Sequence, residues 1–428
     1  MNAAPPMNDL QHAVARAVGR VMDPEIRKPI GELNMISGVS VTDAGEARIG
    51  VKLTIVGCPA ADTIERNVRN AAALVPGVTA VQVDVAVMSK EERQALTEKL
   101  RGPGSRSSQF GTDSLTRIYA ITSGKGGVGK STLTANLGVL LAARGLSVGI
   151  IDADVFGFSI PGLLGLVDDP EHPAEGAGEP QPEPEPVHKG PTNNRLRDLQ
   201  RSAVHSVRPT RVGDLILPPI AYDVKVISIG MFLDPEKTSQ QPTAVAWRGP
   251  MLHRTVQQFI TEVHFGALDV LLLDLPPGTG DVAISIGQLL PNAQVIVVTT
   301  PQPAAADIAE RSGALARSSG QRIVGVIENM SGLAQTDGTV LELFGSGGGA
   351  ETARRLSTED EPVPVLGSVP LSVGLREGGD AGQPVVLAHP DDPASVAIAA
   401  IADRLLELGR ARTPPQNSGN PAHHGAES

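Results

Sequence analysis

The residues with the clearest chemical potential lie between Thr122 and Thr132, in the sequence TSGKGGVGKST. A glycine-rich stretch with this spacing, placed between an apolar strand pattern and a helical one, predicts a loop whose backbone N–H groups surround a polyphosphate. Lys130 would reach the terminal phosphates, and the Ser131 hydroxyl would bind Mg²⁺. The predicted nucleotide site comprises Gly124, Lys125, Gly126, Gly127, Val128, Gly129, Lys130, Ser131 and Thr132.

Acidic residues follow two apolar strand patterns further along the chain. Phosphoryl transfer needs a metal and an oriented water, so carboxylates are expected at the ends of strands near such a loop. Asp274 ends the run VLLLD and precedes a glycine-containing turn, which predicts that it holds Mg²⁺ through water while the turn senses the γ-phosphate. Asp152 and Asp154 form a second candidate pair. The alternatives are a solvated turn aspartate for Asp274 and a helix cap for the pair.

Composition limits the class of protein. The chain has 428 residues, of which 41% are hydrophobic and 19% charged, as in a globular protein with two folded units. A net charge of −11 argues against nonspecific nucleic-acid binding. The single cysteine excludes an intramolecular disulfide, and no secretory signal or membrane-spanning apolar run is evident. We therefore expect a cytoplasmic protein that binds neither nucleic acid nor membrane.

The pattern along the chain predicts two domains. Residues 1–100 read as a small α+β domain, and 101–116, rich in Gly and Ser, read as a flexible linker. From 117 to 411, short apolar strands alternate with helices, which predicts an α/β fold with a doubly wound, mostly parallel sheet. A disordered Pro/Glu-rich insertion is expected at about 167–209, and a disordered tail at 412–428.

A lysine inside the glycine-rich loop, Lys125, is not needed to bind phosphate. With the Gly-Gly-Val-Gly-Lys-Ser that follows, it resembles the deviant P-loop family of MinD, ParA, nitrogenase iron protein and Mrp ATPases. The resemblance implies a homodimer in which Lys125 crosses to the ATP of the other subunit and stabilises the transferring phosphoryl group. It also implies that Asp154 positions the attacking water and that Asp152 supports the Mg²⁺ shell. A solvated lysine on a flexible loop is the alternative.

Longer motifs narrow the resemblance to the Mrp/ApbC branch, described as iron–sulfur cluster carriers that hydrolyse ATP. These motifs are DADVFGFSIP from 152, WRGPM from 247, DLPPGTGD from 274, TTPQ from 299, ENMSG from 328 and FGSGGG from 344. The first domain is similar to one that recurs in iron–sulfur assembly factors, with DPE from 23 and GCP from 57. By analogy Asn329 would contact the adenine, although a turn residue remains the alternative. Iron–sulfur client or scaffold proteins are the implied partners.

The chain departs from the branch where a cluster would bind. Members commonly carry Cys-x-x-Cys between the ENMSG and FGSGGG motifs, but residues 333–343 contain no cysteine. Cys58 is a possible cluster ligand, with the remaining ligands from a partner or a small thiol; a structural, half-buried residue is the alternative. Two functions stay open: a cluster carrier of the Mrp type that lacks the usual site, and a positioning or regulatory ATPase that acts as a nucleotide switch without a cluster.

Overall fold

The computed structural model describes residues 9–55, 58, 60–102, 109–111, 114–155, 157–166, 208–232, 249–278, 280–302, 304–335 and 339–408. The predicted insertion, apart from its last two residues, and the predicted tail lie outside them. Two units are present, one around each of the larger sheets.

The first unit is a small α+β domain. Its elements are α1 (Asp9–Gly19), β1 (Ile36–Val41), β2 (Glu46–Leu53), α2 (Ala61–Ala73), β3 (Ala80–Val87) and α3 (Lys90–Arg101). The strand order is β1-β2-β3, with β1 antiparallel and β3 parallel to β2. Burial alternates along β2, so one face of the sheet packs against the helices. Helix α3 is an addition to the sequence prediction and begins with a capping box between Ser89 and Glu92.

The second unit is an α/β domain. Its elements are β4 (Arg117–Ser123), α4 (Lys130–Ala143), β5 (Val148–Asp152), α5 (Ile160–Leu163), β6 (Thr210–Val212), β7 (Leu215–Leu217), β8 (Ile220–Ala221), β9 (Val224–Ser228), α6 (Gly249–Glu262), β10 (Val270–Asp274), α7 (Asp281–Leu289), β11 (Gln294–Thr299), α8 (Ala304–Ser318), β12 (Arg322–Ala334), β13 (Val340–Leu341), α9 (Gly348–Leu356), β14 (Val365–Leu371), α10 (Val373–Asp380), α11 (Val385–Ala388) and α12 (Pro393–Glu407).

The large sheet has the order β13-β12-β11-β4-β10-β5-β9-β8, and β14 also pairs with β12. All pairs are parallel except those of β8 and β13. Every residue of β5, β10 and β11 is buried, because hydrophobic clusters cover both faces of the sheet. This confirms the predicted doubly wound sheet and explains why its strands read as unbroken apolar runs.

The two units share a hydrophobic core, which the sequence did not predict. The hairpin β6–β7 lies in the sequence of the second unit, but Val212, Leu215 and Leu217 belong to the core cluster of the first. Thr97 of α3 donates a hydrogen bond to the Val212 carbonyl at 3.2 Å. The second unit therefore completes the core of the first.

The segment predicted as a flexible linker, 101–116, packs against the second unit in its later part. The ring of Phe110 is only 2% exposed and lies against Phe265, with ring centroids 5.8 Å apart. Gln109 donates a hydrogen bond to the carbonyl of Val263 at 2.8 Å. Residues 109–111 are therefore packed against the second unit, which differs from the expectation of a free tether.

Candidate functional site: the phosphate loop and the strand ends around it

The glycine-rich loop connects β4 to α4, as the motif predicts. Gly127 and Gly129 have φ values of 76° and 80°, in the left-handed region that glycine adopts without strain. Gly129 is the N-cap of α4, and no side chain caps the helix there. The first backbone N–H groups of α4 are thus available to an anion at the positive end of the helix dipole.

Lys130 and Ser131 converge on the aspartate at the end of β10. The Lys130 ammonium lies 2.6 Å from one carboxylate oxygen of Asp274, and the Ser131 hydroxyl donates to the other at 2.5 Å. Thr134, one turn further along α4, donates to Asp274 at 3.2 Å. Lys130 is 6% exposed and Asp274 is fully buried. Burial raises the pKa of Asp274, and the adjacent ammonium opposes that rise.

Asp152 lies beside this cluster, because β5 and β10 are neighbours and Asp152 pairs with Asp274 in register. Its carboxylate accepts hydrogen bonds from the Ser228 hydroxyl and from the Asp154 backbone N–H, each at 3.1 Å. Burial and the charge of Asp274 raise the pKa of Asp152 to about 7. Ser228 is a site residue that the sequence did not reveal, because its place beside Asp152 depends on the pairing of β9 with β5.

Asp154 lines a cavity that the phosphate loop also lines. This cavity has a volume of about 690 Å³, and its lining includes Pro276 and Pro277 of the turn after β10 and Asp281 at the start of α7. The Asp154 carboxylate accepts a hydrogen bond from the Gly157 backbone N–H at 3.0 Å. The structure thus brings the phosphate loop and Asp154 to one cavity, next to the buried pair of Asp152 and Asp274.

The additional lysine of the loop, Lys125, is half-buried and contacts its own chain. Its ammonium donates a hydrogen bond to the side-chain oxygen of Gln302 at 2.7 Å, just after β11. Its backbone carbonyl accepts a hydrogen bond from Ser123 at 2.9 Å. Gln302 is therefore a contact of the phosphate loop that was not predicted from the sequence.

Asn329, in β12, also contacts the phosphate loop. Its amide donates a hydrogen bond to the Val128 carbonyl at 2.8 Å, and the residue is 4% exposed. A Cβ on Gly129 would lie 2.2 Å from this amide, so only glycine fits there without a shift. Asn329 also lines a cavity of about 530 Å³ that includes Met330 and Pro370. Asn329 thus positions the phosphate loop, and its predicted contact with adenine stays a prediction.

Cys58 lies in the first unit, near the buried carboxylates of Glu25 and Asp23. Its sulfur is 3.9 Å from a carboxylate oxygen of Glu25, and the residue is 6% exposed. Burial, together with the Glu25 charge, raises the pKa of the Cys58 thiol to about 12, so the thiol stays protonated at neutral pH. Thr210 of the hairpin donates to the other oxygen of Glu25 at 3.0 Å. Within the described parts of the chain, no group of three or more His, Cys, Asp or Glu residues is arranged to hold a metal ion.

A search of the described helices finds none that is both long enough and apolar enough to span a bilayer.

Comparisons with known proteins show similarity in both units. Residues 114–406 match the model of a family described as NUBPL iron-transfer P-loop NTPase, and residues 11–85 match that of iron-sulfur cluster assembly proteins. A Mycobacterium tuberculosis protein named iron-sulfur cluster carrier protein is 48% identical over 402 residues, which are 93% of each chain. A Synechocystis protein of the same name is 34% identical over 92% of this chain and 96% of its own. A solved nucleotide-binding protein from Archaeoglobus fulgidus, in complex with ADP, is 27% identical over 63% of this chain and 88% of its own, with a TM-score of 0.45.

Proposed function

Because this chain belongs to the family of iron-transfer P-loop NTPases, we propose that it is an ATP-hydrolysing homodimer that carries iron–sulfur clusters to recipient proteins. The single observation that carries the ATPase part is the convergence of Lys130 and Ser131 on the buried Asp274. A cation, a hydroxyl and a carboxylate at the base of a phosphate loop are the groups that phosphoryl transfer needs.

The donor set at Asp274 fits Mg²⁺. The Asp274 carboxylate and the Ser131 hydroxyl are hard oxygen ligands within 2.5 Å of each other, and the Asp152 carboxylate is the neighbour in register. Asp274 and Ser131 would hold the ion, which would supply positive charge against the negative charge that develops on the phosphates during transfer. Lys130, which neutralises Asp274 in this structure, is the group that would exchange the carboxylate for phosphate oxygens.

Asp154 is the residue proposed to orient the attacking water. Its carboxylate lines the cavity that the phosphate loop also lines, and the Gly157 N–H fixes its position. Proximity to the loop supports this role, because a water must be held in line with the leaving group for hydrolysis.

Lys125 is proposed to act across the dimer. To reach the phosphates of a second subunit, its ammonium would have to leave Gln302, its hydrogen-bond partner within the chain. We propose that this exchange accompanies dimer closure on ATP, because a cation placed beside the transferring phosphoryl group stabilises the charge that develops in the transition state.

The cluster is the cargo in this proposal, and the chain alone supplies few ligands for it. Cys58 is the one cysteine of the sequence, and its thiol is buried and protonated at neutral pH. A dimer thus has two thiols, and iron–sulfur clusters usually need four thiolate ligands. We propose that a partner protein or a small thiol provides the remaining ligands.

A test of the ATPase and dimer proposals compares Lys125→Ala with the parent protein. Lys90→Ala is the matched control, because Lys90 is an exposed lysine of the first unit. Lys125→Ala should reduce ATP turnover by a factor of about 10³ or more, as loss of an arginine finger does, and prevent the ATP-dependent shift to a dimer in size-exclusion chromatography. ADP affinity should stay at the parent value. Two results contradict the proposal that Lys125 acts on the ATP of the other subunit. One is full ATP turnover in Lys125→Ala, and the other is a monomer whose turnover number is independent of protein concentration.

A test of the cargo proposal is anaerobic reconstitution with iron, sulfide and a small thiol. We expect a cluster absorption spectrum in the parent, loss of that spectrum in Cys58→Ser, and transfer of the cluster to an apo-ferredoxin. If neither protein takes up iron and sulfide, the carrier function fails while the ATPase function stands.

A second function is favoured by one specific observation, the absence of cysteine from residues 333–343. On this reading the protein is a nucleotide switch without a cluster, in which closure of the dimer regulates docking of the first unit on client proteins. The two experiments separate the candidates, because a switch closes on ATP but takes up no iron.

A further inference from the structure

A second cavity lies between the two units, at the end of the large sheet opposite the nucleotide cavity. Its volume is about 420 Å³, and Arg27 and Lys28 of the first unit line it together with Asp223, Lys225 and His264 of the second. Residues just before β5 and β10 also line it, whereas the phosphate loop follows the carboxyl end of β4. This basic cavity is therefore distinct from the ATP site.

Positive charge is in excess in the basic cavity. The cavity lining contains three cationic residues, Arg27, Lys28 and Lys225. Among the described residues, one acidic residue lines the cavity, Asp223. Arg27 and Asp223 form an ion pair that joins the two units. Burial and the neighbouring lysines lower the pKa of His264 to about 4, so its ring is neutral at pH 7. Two positive charges thus lack an acidic partner in the lining.

Lys225 and His264 have unused hydrogen-bonding capacity. The half-buried Lys225 ammonium donates to the Phe265 carbonyl, which occupies one of its three N–H groups. Burial and the charges of Arg27 and Lys28 lower the pKa of Lys225 to about 8. The Nε2 atom of His264 is buried and has no hydrogen-bond partner among the described residues. Burying cations and polar atoms without partners is unfavourable, so a ligand that pairs with them would stabilise the arrangement.

Residues with positive φ occur next to the basic cavity. Non-glycine residues with positive φ are uncommon, and of the five in the described residues three are Arg27, Tyr222 and Asp223, at 60°, 50° and 62°. Arg27 and Asp223 form an ion pair, and both residues line the basic cavity. At Tyr222 and Asp223 the positive φ belongs to the two-residue turn of the β8–β9 hairpin, in which both central residues adopt it. Arg27 is therefore the residue whose conformation the hairpin does not explain.

We propose that the basic cavity binds a small molecule that carries a phosphate group with more than one negative charge. The bound phosphate would contact both units and so stabilise their association. Lysine ammonium groups bind phosphate as point charges, and Lys28 and Lys225 approach the cavity from different units. The volume exceeds that of inorganic phosphate alone and is within the range of small-molecule sites. The site is independent of the proposed ATPase, because none of its residues belongs to the nucleotide cavity.

The test is isothermal titration calorimetry of the full chain with inorganic phosphate, pyrophosphate and ribose 5-phosphate. The parent should show saturable binding that excess ADP does not displace. Lys28→Ala should weaken this binding about tenfold, as expected for loss of one charge-assisted contact. Lys28 is exposed and donates to no described side chain, so the variant should fold. Lys90→Ala, which removes an exposed lysine elsewhere on the first unit, should bind like the parent.

The three probes distinguish the source of the phosphate. Tighter binding of ribose 5-phosphate assigns the site to a phosphorylated metabolite, and tighter binding of phosphate or pyrophosphate assigns it to the free anion. Hydrogen exchange gives a second readout: the tightest probe should slow exchange around Arg27 and around the β8–β9 turn. Binding that ADP displaces completely, or equal affinities of Lys28→Ala and Lys90→Ala, would overturn the proposal.

Discussion

Replacing Gly129 by alanine should destabilise the second unit through two separable effects. Gly129 has φ of 80°, and a left-handed conformation costs a non-glycine residue about 1–2 kcal/mol. The added Cβ would also lie 2.2 Å from the Asn329 amide, which must then give up its 2.8 Å hydrogen bond to the Val128 carbonyl. Losing a buried hydrogen bond in this way costs about 1–3 kcal/mol. We expect Gly129→Ala to lower the free energy of unfolding by about 2–5 kcal/mol.

Gly127→Ala is the matched control. Gly127 has φ of 76°, but a Cβ there would meet nothing within 4 Å. This variant should therefore lose only the conformational part, about 1–2 kcal/mol. The assay is urea unfolding of nucleotide-free protein followed by circular dichroism, with the transition midpoints and slopes compared across variants.

A double-mutant cycle isolates the contact with Asn329. In Gly129→Ala combined with Asn329→Ala, the methyl group no longer displaces the amide, so the summed losses of the single variants should exceed the loss of the double variant by about 1–3 kcal/mol. Equal losses in Gly127→Ala and Gly129→Ala, or strict additivity in the cycle, would refute the reasoning that Asn329 holds the phosphate loop.

Three further predictions concern other parts of the chain. Phe110→Ala should lower the unfolding free energy of the second unit by about 3–5 kcal/mol, as expected for a buried aromatic ring; a loss below about 1 kcal/mol in thermal unfolding would show that the segment is not anchored there. Burial raises the pKa of Glu25 to about 7 from 4.5, so the native state retains a proton that the unfolded state releases between these pH values. The free energy of unfolding should therefore fall as pH rises through this window. In urea unfolding, the difference between pH 5 and pH 7.5 should be smaller for Glu25→Gln than for the parent. An equal difference in the two proteins contradicts this prediction. Lys130→Met should abolish ATP turnover and, because it leaves Asp274 buried without a counter-charge, lower stability by about 3 kcal/mol; unchanged stability would mean that the ion pair does not neutralise Asp274.

The parts of the structure that could be predicted from the sequence are those in which chemistry and geometry are local. The glycine spacing specifies the phosphate loop, and the apolar run before Asp274 specifies a buried strand. Because parallel strands end at the same edge of a sheet, these motifs could be expected to meet, and Lys130 does contact Asp274 at 2.6 Å.

Residues joined only by tertiary packing could not be predicted. Ser228 ends a short apolar strand and Gln302 ends the TTPQ motif, but their contacts with Asp152 and Lys125 depend on which strands become neighbours. Asn329 was predicted to contact adenine by analogy, but its hydrogen bond to the phosphate loop requires knowing that β12 ends beside that loop. No periodicity in the sequence reports such contacts.

The hairpin β6–β7 was missed for a related reason. Its strands have three residues each, too few to show an alternating pattern. Three of its apolar side chains, Val212, Leu215 and Leu217, pack on a domain that precedes them by more than a hundred residues.

This hairpin has a consequence for how the molecule is made. The ribosome finishes α3 at Arg101 well before it reaches Leu217, the last hairpin residue in the core of the first unit. At about 5–20 residues per second, the nascent chain waits on the order of 10 s for those side chains. During that interval the amino-terminal core presents an uncovered apolar face, so its maturation depends on translation of its neighbour and on protection from aggregation in the meantime.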